Sequence, residues 1–187
     1  MLRTIGGGAL VAWSAPAIVT LSPVAAACGS GGGLTVTGAG TIGTLSAGQS
    51  LLATSTTYSS DTTFFVFNEQ LTMTTATQMT DSGHTLPTST PLQSHLVHFS
   101  PATRYRACSG TVTFPAPIVG WDWQDVTLTA GDPTWGVTGV TYGTVNRRLE
   151  YPTGNDQVTI AVGTCVVDLI LRAGPNYVDQ LRVYTQA

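Results

Sequence analysis

Along most of this chain, apolar residues come in short runs that alternate with Thr, Ser and Gln, and turn residues close each run. Strands are expected at 34–37, 50–56, 63–67, 93–99, 110–114, 118–123, 125–129, 157–162, 165–171 and 177–185, all rich in β-branched or aromatic side chains. Pro115, Gly131-Asp132-Pro133, Gly154-Asn155-Asp156 and Gly174-Pro175-Asn176 punctuate the later ones. No stretch shows the spacing of an amphipathic helix, and 75–91, with Asp81-Ser82-Gly83-His84 and two prolines, reads as a long loop. About ten short strands with frequent turns predict an all-β fold, an antiparallel β-sandwich of jelly-roll type.

Residues 1–27 follow a different pattern. Arg3 precedes an uncharged, glycine-interrupted stretch from Ile5 to Trp13, then Pro16 and an alanine-rich end at Ala25-Ala26-Ala27. The run is too short and too broken to span about 30 Å of hydrocarbon, and it reads as a cleaved export signal. Residues 28–33 follow as a Gly/Ser tether, leaving 34–187 as a single β domain.

The tether opens on Cys28, and the chain has three cysteines in all. Ala25-Ala26-Ala27 suits an ordinary signal peptidase, while Ala-Ala-Ala-Cys followed by Gly and Ser also looks like a lipoprotein junction, with Cys28 as the lipidated residue. An odd count in an exported chain suggests one cysteine with a separate fate and one pair. Cys108 and Cys165 are the expected disulfide; a Cys28–Cys108 bridge and an unpaired, buried Cys108 and Cys165 are the alternatives.

Composition narrows the function classes. The 187 residues include only 9% charged side chains, with seven arginines, no lysine and a net charge of -3. With no basic cluster to neutralise a row of phosphates, nucleic acid is not an expected partner. An extracellular or cell-surface location is expected, with membrane contact only through a lipid on Cys28.

Few residues suggest chemistry. On a strand over 93–99, His95 and His98 point to opposite faces, so they do not chelate one metal; one is expected in the core and the other in solvent. No Gly-x-Ser-x-Gly, His-Glu-x-x-His or phosphate-cradling loop occurs, and neither a catalytic residue nor a cofactor is expected. Asp122, Asp125, Asp132 and Glu150 lie near aromatic residues, a neighbourhood in which paired carboxylates would serve glycoside hydrolysis. Asp132, Asp156 and Asp179 stand beside turns, where loop capping is the first expectation and calcium binding the weaker one. Trp121 and Trp123 fall on one face of their expected strand and, with Trp135, make a candidate stacking platform for a sugar, although a sandwich core uses such residues too.

From about Tyr58 onward, the succession Thr63-Phe64-Phe65-Val66-Phe67-Asn68-Glu69-Gln70, Ser94-His95-Leu96-Val97-His98-Phe99, Gly110-Thr111-Val112-Thr113-Phe114, Arg148-Leu149-Glu150-Tyr151-Pro152 and Asp179-Gln180-Leu181-Arg182-Val183 resembles an uncharacterised family of exported bacterial β domains. Some of its members carry C-terminal surface-sorting tails. The leader, in turn, resembles the interior of a twin-arginine signal without the paired arginines. The resemblance implies the fold and the compartment, and structural contacts among Glu69, Asp132, Glu150, Asp179 and Arg182, an Arg182–carboxylate pair among them. The functional expectation is a non-catalytic domain with a structural or adhesive role toward an envelope polymer or an extracellular protein. A small carbohydrate-binding or carbohydrate-active module is the alternative.

Overall fold

The structure is a computed structural model that describes Cys28, residues 33–53 and residues 55–187. The expected leader, and residues 29–32 of the tether, lie outside the described residues. Among the described residues, eleven strands and one helix follow in the order β1 (Thr35–Gly38), β2 (Gly40–Gly43), β3 (Phe64–Met73), β4 (Gln78–Met79), β5 (Thr85–Leu86), β6 (Pro91–Phe99), β7 (Arg106–Thr113), β8 (Ile118–Asp122), α1 (Asp125–Trp135), β9 (Gln157–Thr159), β10 (Val166–Ala173) and β11 (Asp179–Gln186). One sheet runs β1-β7-β10-β9 and the other β2-β3-β6-β11-β8. All pairings in these two sheets are antiparallel except β2 with β3.

The sheets enclose a core in which Phe64, Val97, Phe99, Leu181 and Val183 of the five-stranded sheet meet Val112, Val167, Leu169 and Leu171 of the four-stranded one. This is the expected all-β sandwich. On the four-stranded sheet only one face is covered, so β10 alternates between buried and exposed positions. On the five-stranded sheet β11 is buried along almost its whole length, because helix α1 lies against the outer face.

The helix replaces the strand expected at 125–129. Its buried residues Leu128, Gly131 and Trp135 stand at helical spacing, a signal obscured in the sequence by Gly131 and by Pro133 inside the helix. Its N-cap residue Gln124 makes no side-chain capping bond. The cap comes instead from Asp81, whose Oδ2 accepts the Trp123 and Gln124 backbone N–H groups at 2.8 Å each and the Thr127 hydroxyl at 2.6 Å. Gly131 lets the helix close on the sheet, since a Cβ there would stand 3.1 Å from Arg182 Nη1.

Other boundaries shift as well. The segment expected as a loop at 75–91 contains the β4–β5 hairpin, with Gly83 at φ +76° in its turn. The described residues of 50–56 form no strand, and Ser50 makes an isolated bridge to Thr141.

The cysteine pairing is corrected too. Cys28 bridges Cys165 across a Cα–Cα distance of 5.6 Å, and Cys108 is free and buried. The register explains why Cys108 and Cys165 do not pair: Cys108 stands opposite Leu171, whereas the Cys165 carbonyl accepts from Phe114 N–H, six residues further along the chain. That offset is about 20 Å of extended chain, beyond the reach of a disulfide. The bridge also corrects the reading of Cys28 as a lipidated residue, because a lipid thioether and a disulfide need the same sulfur.

Candidate binding groove

Two polar systems adjoin along the 147–150 segment. The first is structural. Arg182, fully buried on β11, holds Glu69 through Nε–Oε2 at 2.7 Å and Nη2–Oε1 at 2.9 Å, and reaches Asp132 Oδ1 at 2.8 Å. Arg147 binds the same Asp132 and donates to Gln180 Oε1 at 2.6 Å, while the Gln180 side-chain amide meets His98 Nδ1 at 2.8 Å. Tyr142 donates to Glu69 Oε1 and lies within 5.7 Å of both guanidinium carbons. The two arginines and two carboxylates balance, which meets the condition for burying charge. The Arg182–carboxylate pair implied by the resemblance is present here. His98 is buried rather than solvated, because the face it takes lies under this network. Burial, and then the charge of Arg147, lower its pKa to about 3.

The second system opens to solvent. Residues 147–150 run beside the end of β11, with an isolated parallel bridge between Arg148 and Gln180. Alternation turns Arg147 and Leu149 inward and Arg148 and Glu150 outward. Backbone bonds from Leu149 N–H to the Trp123 carbonyl at 3.1 Å and from Val178 N–H to the Asn146 carbonyl at 2.8 Å fix the segment. Two cavities flank it. One, of about 510 Å³, is lined by Trp123, Gln124 and Tyr151; the other, of about 620 Å³, by Tyr105, Asp125, Arg172, Tyr177 and Asp179. Arg148 and Glu150 line both, so the two adjoin as a groove divided by these side chains.

Aromatic rings stand along it. Trp123 and Tyr151 pack edge to face at 5.3 Å, and Tyr105 and Tyr177 are 56% and 55% exposed, high for large apolar surfaces. At the floor, Asp156 accepts the Glu150 and Arg172 backbone N–H groups at 2.7 Å each. Asp179, 3% exposed, lies against it. Burial foremost, and then the charge of Asp156, push the Asp179 carboxyl up to about 9. It therefore keeps its proton at neutral pH, in a hydrogen bond with Asp156, behind Glu150 and Arg148 on the wall.

The tryptophan platform does not form. Trp121 is 8% exposed and belongs to the sandwich core. Strand β8 ends at Asp122, so Trp123 lies beyond the alternation that would have aligned it with Trp121. Trp135 is fully buried under α1, its ring against Tyr184 at 4.8 Å and its Nε1–H on Gln78 Oε1 at 3.0 Å. Of the three, only Trp123 reaches the groove. Of the acids singled out beside turns, Asp132 is held by arginines, and among the described residues no group of three His, Cys, Asp or Glu side chains is arranged to hold a metal ion. Tyr105 and Tyr177 carry no motif, Arg148 stood out only within the stretch that carries the resemblance, and their convergence depends on the turn between β10 and β11 meeting the 145–150 segment.

No family model, curated protein or solved structure matches this chain.

Proposed function

We propose that this is an exported β domain, extracellular or on the cell surface, that uses the groove around Arg148 and Glu150 to hold a polyhydroxylated polymer of the envelope without turning it over. The observation that carries the reading is the pair of adjoining cavities with aromatic walls and shared polar side chains. Sugars are recognised in this way, by apolar C–H faces against rings and by hydroxyls that both give and accept hydrogen bonds. Arg148 supplies donors and Glu150 acceptors. The disulfide supports an oxidising compartment.

Titration calorimetry against a panel of soluble cell-wall and extracellular glycans tests the proposal. Binding to one class is expected, with loss of at least tenfold in affinity in Trp123→Ala and in Tyr177→Ala while the thermal transition is retained. Absence of binding across the panel, or binding indifferent to both substitutions, overturns it. One observation favours a second reading as a carbohydrate-active module: a protonated carboxyl, Asp179, shares a cavity with the Glu150 carboxylate, the acid and base roles that glycoside hydrolysis requires. Release of reducing ends from a bound glycan would select that reading.

A further inference from the structure

The inner face of the five-stranded sheet holds a polar row inside the apolar core. His95 on β6 places Nδ1 2.7 Å from Asn68 Oδ1 on β3 and Nε2 3.0 Å from Thr185 Oγ1 on β11. Asn68 Oδ1 only accepts, so Nδ1 carries the proton and Nε2 presents its lone pair to the Thr185 hydroxyl. His95 is 1% exposed and Thr185 is not exposed, and the imidazole ring packs 4.8 Å from Phe114. Burial lowers the His95 pKa to about 3, which keeps it neutral. A hydroxyl on a neutral imidazole whose other nitrogen is oriented by a third side chain is the arrangement that activates Ser and Thr as nucleophiles.

Such a buried hydroxyl can be reached only by an electrophile of the same chain, and the register supplies one. Thr185 stands directly opposite Gln93 in the β6–β11 pairing. Gln93 shares the face of His95 two residues on, and opposite side chains have Cβ atoms about 5 Å apart. The Gln93 amide nitrogen donates to the Ser94 carbonyl at 2.9 Å and to the Glu69 carbonyl on β3 at 3.2 Å, so the side chain turns from β3 toward β11 when its carbonyl carbon meets Thr185.

We propose that Thr185 and Gln93 are the site of an intramolecular ester cross-link between β11 and β6, formed with Asn68 and His95 as its catalytic relay. Thr185 Oγ1 attacks the Gln93 side-chain carbonyl carbon while His95 Nε2 takes the hydroxyl proton. The tetrahedral intermediate collapses with cleavage of the C–N bond, and His95 returns the proton to the departing nitrogen, which leaves as ammonia. No oxidation or reduction occurs and no co-reactant is needed. The bond would staple the last strand to the middle of its sheet, a covalent reinforcement suited to an exported domain that bears load, and it is independent of what the groove binds.

Intact mass and peptide mapping of the folded, disulfide-closed protein decide the matter. The expected result is a chain lighter by one ammonia beyond the two hydrogens lost to the disulfide. A branched peptide joining the segments around residues 93 and 185 should accompany it and be cleaved by hydroxylamine. Thr185→Val, close in shape, should restore the full mass, and Gln93→Leu should do the same if the valine variant fails to fold. A folded wild-type chain of full mass, with peptides containing unmodified Gln93 and Thr185, overturns the proposal, as does an ammonia loss that maps to any other residue.

Discussion

Arg182 and Glu69 stand 113 residues apart in sequence and meet in a two-pronged ion pair with both side chains fully buried. Removing one member strands the other charge away from water, the situation that costs about 3–5 kcal/mol. Glu69→Ala is therefore expected to shift the urea unfolding midpoint strongly. A Glu69→Leu, Arg182→Met double variant should recover much of the loss, because neither charge is then left alone. Equilibrium unfolding of the wild type and both variants checks this, and equal loss in single and double variants would contradict it.

The helix cap offers a second test. Asp81 satisfies the N-terminus of α1 from the β4–β5 turn, through bonds that include 2.8 Å contacts to two backbone N–H groups. Asp81→Ala should cost about 1–2 kcal/mol, the range for a lost cap. Asp81→Asn, which keeps an acceptor oxygen, should cost less. Thermal melts give the order, and equal melting temperatures for wild type and Asp81→Ala would refute the assignment.

Stability should fall as pH rises above neutrality. The folded pKa of Asp179, about 9, lies above its ordinary value of 3.8, so between these two pH values the native chain holds a proton that the unfolded chain has released. Asp122 and Asp156, also raised chiefly by burial, act in the same direction. His95 and His98 act in the opposite direction but only below about pH 6.5, where the unfolded chain binds protons that the native chain refuses. From pH 7 to 9 the melting temperature should therefore decline, and Asp179→Asn should flatten that decline. A wild-type profile level across that interval would contradict the burial argument.

Thiol counting separates the two cysteine pairings. In the native protein Cys108 is buried, and desolvation, helped by the charges of Asp179 and Asp156, pushes its thiol up to about 12, so alkylation should be slow. Denatured without reductant, the chain should expose one reactive thiol that maps to Cys108; after reduction all three cysteines should react. Breaking the Cys28–Cys165 bridge, which spans 137 residues, should cost about 2–5 kcal/mol. Cys108→Ser should leave the bridge intact. A single free thiol mapping to Cys28 would overturn the pairing.

Strands β6, β7, β10 and β11 were legible in the chain, because runs such as Val166-Val167-Asp168-Leu169-Ile170 carry both β-branched side chains and a period of two. Helix α1 was not: its cap residue lies more than forty positions away, and its packing face includes a glycine that reads locally as a turn. The split of His95 and His98 between opposite faces of β6 follows from their odd separation, and their Asn68 and Gln180 partners lie on opposite faces of the same sheet. Their common burial does not follow from that separation.

The chain by itself determined a β-rich domain, the positions of most strands and the face each side chain takes, because backbone alternation is a local property. What covers each face was decided only by the tertiary structure. Helix α1 over β11, Cys28 at Cys165 rather than Cys108, Trp135 between helix and sheet and the convergence of Trp123, Arg148, Glu150 and Tyr177 on one groove all depend on register and layer order. Those are set by the summed burial of residues tens of positions apart, a quantity that no window of sequence contains.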